Sequence, residues 1–287
     1  MAINLHFFRD SNLDKLDFEK VLEFFDSHNE FRIFYDDEVV EIVYNDDVFG
    51  FSYRYFITKK SRVSNIYKIN PQFSNVNFYL EMPVLIPTFL AKEILTITQR
   101  LCKLFELEVY HEAFGDVKQF NLVEVLVLFD QIRADYIEEN GMQGKYRFRF
   151  ERLNEVCRYQ RSIKDLTEFY KKEVHVPRIV PIVDRVTNEF GMSVTWKIGT
   201  PALFPPHVAY VYVESEKTKK FLVKFSELHK LLDKYLKEVG DFLPNMFVIK
   251  DRQARQTKKF VKKLRKNAMV DQNYKEVRLA EVIDQSE

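Results

Sequence analysis

Eight basic side chains crowd one short stretch near the end of the sequence: Arg252, Arg255, Lys258, Lys259, Lys262, Lys263, Arg265 and Lys266, against a single acid, Asp251. Wound at ~100° per residue, Ala254, Thr257, Phe260, Val261, Leu264 and Ala268 share one face with Gln253, and all eight cations fall on the complementary arc. An arc of that kind attracts carboxylate or phosphate. Arg252, Arg255, Lys259, Lys262 and Lys266 are the residues expected to meet the anion. Two partners fit: an acidic protein surface, or nucleic acid. Lysine outnumbers arginine and no aromatic interleaves the arc, so neither bidentate base reading nor base stacking is signalled. One Phe, one Val and one Leu make too thin an apolar side for a membrane-surface helix. The plain alternative is a surface helix, docked by those three residues and solvated elsewhere.

A second group, His111-Glu112 with Asp116 beyond it, is the nearest approach to acid–base chemistry. It stands where a strand is expected to meet a loop, a common place for reacting groups. Three polar residues in a loop also arise without any such role. A third feature is Gly199-Thr-Pro-Ala-Leu-Phe-Pro-Pro-His207, where three prolines stiffen a connection between two expected strands. A rigid loop presenting Phe204 and His207 would recognise a partner at little cost in ordering. Equally, the aromatic can fold back onto the core. Trp196, on the strand before, reads as core.

Metal and cofactor chemistry finds little to build on. Asp36-Asp37-Glu38 and Asp46-Asp47 offer hard oxygen ligands, but the calcium-loop spacing and its glycine are missing. The six histidines are scattered, with no HExxH and no paired zinc spacing. No Walker loop, G-x-G-x-x-G or G-x-S-x-G is present, and with seven glycines the chain has few places for a phosphate cradle. No metal and no cofactor is expected.

These groups need elements to hold them. Ile3–Phe8 reads as a strand, and Asp17–Ser27 as a helix with Phe18, Val21, Leu22 and Phe25 on one face. Residues 31–58 turn β-branched and aromatic, cut by Asp36-Asp37 and Asn45-Asp46-Asp47, which is the pattern of an antiparallel meander. A strand over 76–81, a helix over 88–107 with Leu90, Ile94, Ile97, Leu101 and Leu104 inward, and a short strand over 108–111 complete a first domain, 1–115. Asn121 with Glu124 forms a capping box for a helix to about 139. A second helix over 146–170, or a strand at 146–150 before it, makes residues 116–174 a helical connector.

From 175 to 287 a second α+β domain is expected. Its strands lie over 178–185, 192–198, 208–213, 221–225, 246–250 and 276–283. Its helices run from Ser226 to about Val239, ended by Gly240, and over 252–267 as the basic amphipathic helix. The fold class is therefore α+β: two mostly antiparallel sheets with packed helices, joined by long helices.

Charge is asymmetric. Residues 1–50 hold thirteen acids and four bases, a balance of −9, while the whole chain is at +1. The acidic start could serve a partner, face the basic helix, or simply be solvated. Cys102 and Cys157 both fall in helical segments and read as small buried hydrophobes, which fits a reducing compartment. The opening MAINLHFFRD shows no signal-peptide pattern, and no apolar run approaches the ~20 residues that span a bilayer. The expectation is a cytoplasmic protein without membrane association. Non-catalytic binding, above all of an acidic protein, is the leading function, followed by nucleic-acid binding through the basic helix and then by an enzyme of unrecognised type. Oligomeric state is not legible.

Overall fold

The computed structural model describes residues 2–285 apart from 29, 62, 64, 217 and 241, and the chain divides into two compact units, Met1–Lys145 and Tyr146–Glu287. The class is α+β. Among the described residues the strands form four sheets rather than two. The stretch 116–174 is divided between the units.

In the first unit β1 (Ala2–Asp10) is followed by α1 (Phe18–Asp26), then by the meander β2 (Phe31–Tyr35), β3 (Val39–Asp46), β4 (Phe51–Thr58) and β5 (Phe73–Pro83). Then come α2 (Thr88–Phe105), β6 (Glu108–Tyr110), β7 (Lys118–Gln119) and α3 (Leu122–Asn140). The seven strands make one antiparallel sheet in the order β2-β3-β4-β5-β1-β6-β7. Local chemistry sets the elements: Asp17 Oδ1 caps α1 by accepting from Glu19 and Lys20, and Asn121 Oδ1 caps α3 by accepting from Val123 and Glu124. The return bond of the expected capping box is absent, since Glu124 reaches Lys118 instead.

The helices α1 and α2 cover one face of this sheet. Phe25 packs its ring 4.7 Å from Tyr55 and 5.0 Å from Phe31, and Tyr55 Oη lies 2.9 Å from Thr98 Oγ1 of α2. Phe7, Phe25, Tyr55 and Phe78 are fully buried in this interior. Leu104, expected inward, is 62% exposed; Leu95, Thr98 and Cys102 take the inner positions with Leu90, Ile94 and Leu101. The opposite face of the sheet carries the row Phe34–Glu41–Phe56–Tyr79–His6 across five strands.

In the second unit β8 (Tyr146–Arg149) leads directly into α4 (Phe150–Arg161) and α5 (Ile163–Phe169), so the strand reading of 146–150 holds over its first four residues. Next are β9 (Val180–Asp184), β10 (Phe190–Lys197), β11 (Ala202–Phe204), β12 (Val208–Ser215), β13 (Thr218–Lys224) and α6 (Phe225–Leu232). The chain ends with β14 (Lys237–Glu238), β15 (Phe247–Ile249), α7 (Asp251–Thr257), α8 (Val261–Lys266), β16 (Tyr274–Glu276) and β17 (Val282–Gln285). The main sheet runs β13-β12-β10-β9-β16 and is mixed, because β10 and β12 are parallel. Smaller sheets join β11, β15 and β14, and pair β17 in parallel with β8. The helix expected to reach Val239 stops at Leu232; a single 3-10 turn and β14 take the rest, so Gly240 caps nothing. No helix of the described residues is long and apolar enough to cross a membrane.

Candidate anion-binding surface

The basic segment is wound, but not as one helix. α7 passes through a 3-10 turn at Lys258–Phe260 before α8 resumes. Thr257 sits at the break and holds it: its hydroxyl donates to Ala254 O at 2.6 Å and accepts from Gly199 N–H at 3.1 Å. Gly199 suits the position because its φ of +90° favours glycine; a Cβ there would press only on the exposed Lys258 side chain, which can move. Ala254, Thr257 and Leu264 are fully buried, with Phe260 and Val261 half-buried, so the inner face expected from the periodicity is present up to Leu264. Ala268 departs from it. It lies beyond the helix end and is exposed.

All eight cations are exposed. Arg255 is tied to Asp251 at 3.1 Å, one helical turn back, and Lys258 lies 3.9 Å from Glu216. Lys259 Nζ stands 5.6 Å from the Tyr235 ring centre and 5.3 Å from that of Phe260, an aromatic seat that steadies the ammonium without neutralising it. Arg252, Lys259, Lys262, Lys263, Arg265 and Lys266 have no carboxylate within ion-pair distance among the described residues. Exposed pairs such as Arg255–Asp251 are themselves loose in water. The surface is therefore a dense positive field with little internal compensation.

The other expected sites fare differently. His111, Glu112 and Asp116 do not assemble: no hydrogen bond or ion pair joins any two of them. His111 Nδ1 accepts from Ala113 N–H at 3.2 Å and starts a 3-10 turn that Gly115 closes. Burial pushes its pKa below the ordinary value, and Glu112 opposes the shift. Asp116 accepts from Asn70 at 3.0 Å and from Val117 N–H at 2.7 Å, bonds that lower its pKa. These are loop-building contacts.

The stiff connection is not a presenting loop. Phe204 lies in β11, paired with Phe247 of β15, and is fully buried with its ring 5.5 Å from Trp196 and 5.7 Å from Phe225. A strand pairing not visible locally pulls it inward, so it offers nothing to a partner. His207 has a positive φ of 60° and holds Glu155 of α4 through Nε2 at 2.7 Å. Fifty-two positions separate the two, which is why sequence spacing did not find this pair. Asp46 of the β3–β4 turn is likewise engaged, its Oδ1 accepting from the Val48 and Phe49 N–H groups.

Sequence reading also missed a cleft of about 910 Å³ in the first unit, lined by Arg100, Cys102, Lys103, Glu106, Glu108 and Phe120 among others. One carboxylate oxygen of Glu108 is shut off from solvent without a hydrogen-bond partner, and burial raises the pKa of the group. Cys102 lies beside it, buried, with its thiol pKa pushed upward chiefly by that burial. Among the described residues no three His, Cys, Asp or Glu side chains converge as metal ligands do. No protein-family model, no curated protein and no solved structure matches the chain.

Proposed function

We propose that this is a non-catalytic cytoplasmic binding protein that docks the surface of α7 and α8 onto an acidic protein. One observation carries the reading: six exposed cations of a single segment lack carboxylate neighbours among the described residues. Like charges held this close repel one another. An acidic partner would relieve that repulsion, steer the encounter and release counterions. The buried backing of Ala254, Thr257 and Leu264 supports the same reading, because it fixes the cations on a rigid support.

The test uses a fluorescent oligoglutamate peptide and a single-stranded oligonucleotide as probes of the full chain. Binding of the peptide is expected to weaken steadily with salt. The triple reversal Lys259→Glu, Lys262→Glu, Lys266→Glu should abolish it while the chain stays folded, since all three are surface positions. Undiminished peptide binding by the triple variant sinks the proposal. Tighter binding of the oligonucleotide, with a steep logarithmic salt dependence, transfers the surface to nucleic acid.

A further inference from the structure

The two sides of the β2 edge show a surface without a partner. β2 is the outermost strand of the seven-stranded sheet. The bond from Asp36 N–H to Val39 O fixes the ladder alternation, so Arg32 and Phe34 turn their backbone groups toward β3. Those of Ile33 and Tyr35 consequently face outward. Neither amide has a hydrogen-bond partner among the described residues. The next outward position, Phe31, is already engaged, its N–H donating to His28 O.

Sheets ordinarily protect such an edge with shortness, lysines or a cover. The opposite edge, β7, is two residues long. The edge strand β13 of the second unit carries Lys219, Lys220 and Lys224, and Leu222 is bridged by Met269. β2 has five residues and no lysine, its one charge being Arg32. Instead Phe34 is 52% exposed and Tyr35 69% exposed. Arg32 is exposed and has no carboxylate partner among the described residues.

We infer that β2 pairs with β2 of a second copy of this chain, antiparallel, about a two-fold axis through Phe34. The sequence Arg32-Ile-Phe-Tyr-Asp36 is complementary to itself in that register. Ile33 stands opposite Tyr35 of the second copy, and their outward N–H and C=O groups close the new ladder. Phe34 meets its own equivalent, and Arg32 meets Asp36 of the second copy at both ends. Arg32, Phe34 and Asp36 project from the face away from α1 and α2, so these three pairs meet on the helix-free face. The neighbouring register, centred on Ile33, is disfavoured. It sets Asp36 against Glu30, a like-charge pair, and calls on the N–H of Phe31 that His28 already holds. The axis through Phe34 also extends the row Phe34–Glu41–Phe56–Tyr79–His6 into the second copy as one continuous sheet face. The contact is small, so the dimer is weak.

Sedimentation equilibrium of the full chain at micromolar to millimolar concentration tests this. The mass should rise from 34.5 kDa toward twice that value. Arg32→Asp alone and Asp36→Arg alone should each weaken association by about tenfold or more, since each reversal acts at two symmetric places. Combining the two swaps the charges and should restore the dimer. Amide exchange at Ile33 and Tyr35 should slow as concentration rises, a readout independent of the variants. A wild-type chain that stays monomeric overturns the inference. So does a dimer indifferent to the single reversals, or one that the double swap fails to recover.

Discussion

The loop at His111 and the segment over 252–266 both put polar side chains close together, yet they differ in what those side chains touch. In the loop, His111 and Asp116 hold backbone N–H groups and Asn70, so their bonding capacity goes into shaping the chain itself. In the basic segment, most ammonium and guanidinium groups face water, and the polar residue that does shape the chain is Thr257 on the buried side. Polar residue type does not distinguish a site from a scaffold. What distinguishes them is whether the donor or acceptor is already engaged, and that depends on contacts made by residues far away in sequence.

The contrast can be attacked first at Leu264, which is fully buried under the basic arc. Leu264→Ala should cost about 2–4 kcal/mol, read by thermal or urea unfolding, and should weaken probe binding by loosening α8. If the cations work equally well without this backing, the rigid-support account is wrong. A somewhat smaller effect belongs to the first unit and to pH. Burial, with His111 adding to it, lowers the pKa of His6 to about 4. The folded unit therefore holds His6 neutral, whereas the unfolded chain takes up a proton as pH drops below about 6.5. Stability present above pH 6.5 is accordingly lost between about 6.5 and 4, by something of the order of 2–3 kcal/mol. Unfolding curves of His6→Asn should be flatter across that window; identical slopes for variant and wild type would exclude the group. The smallest change comes from His111→Ala, which removes the cap on the 3-10 turn and should cost about 0.5–1 kcal/mol while leaving anion binding untouched. Loss of oligoglutamate binding in this variant would erase the distinction between loop and surface.

Periodicity and turn chemistry carried much of the architecture. The meander over 31–58, the helix from Thr88 and the Asn121 cap all follow from local patterns, and so does the burial of Ala254 and Leu264. Failures came where distant residues decide. The pairing of β17 with β8 joins segments well over a hundred positions apart, and the parallel contact of β10 with β12 needs the crossover through β11. Phe204 turns inward because β15 supplies a partner strand. The 3-10 turn at Lys258 depends on Gly199, whose N–H pulls on Thr257 from another loop. Likewise, the outward faces of Ile33 and Tyr35 become an edge only because, among the described residues, no further strand lies beyond β2.

Trp196 is the single tryptophan of the chain, buried in β10, with its indole N–H donating to Thr200 O at 3.0 Å. Indole emission thus reports on the Tyr146–Glu287 unit by itself. Far-ultraviolet circular dichroism sums over both. Recording the two signals in one melt separates the collapse of the unit bearing the cations from that of the unit bearing the open strand, with no label and no truncation.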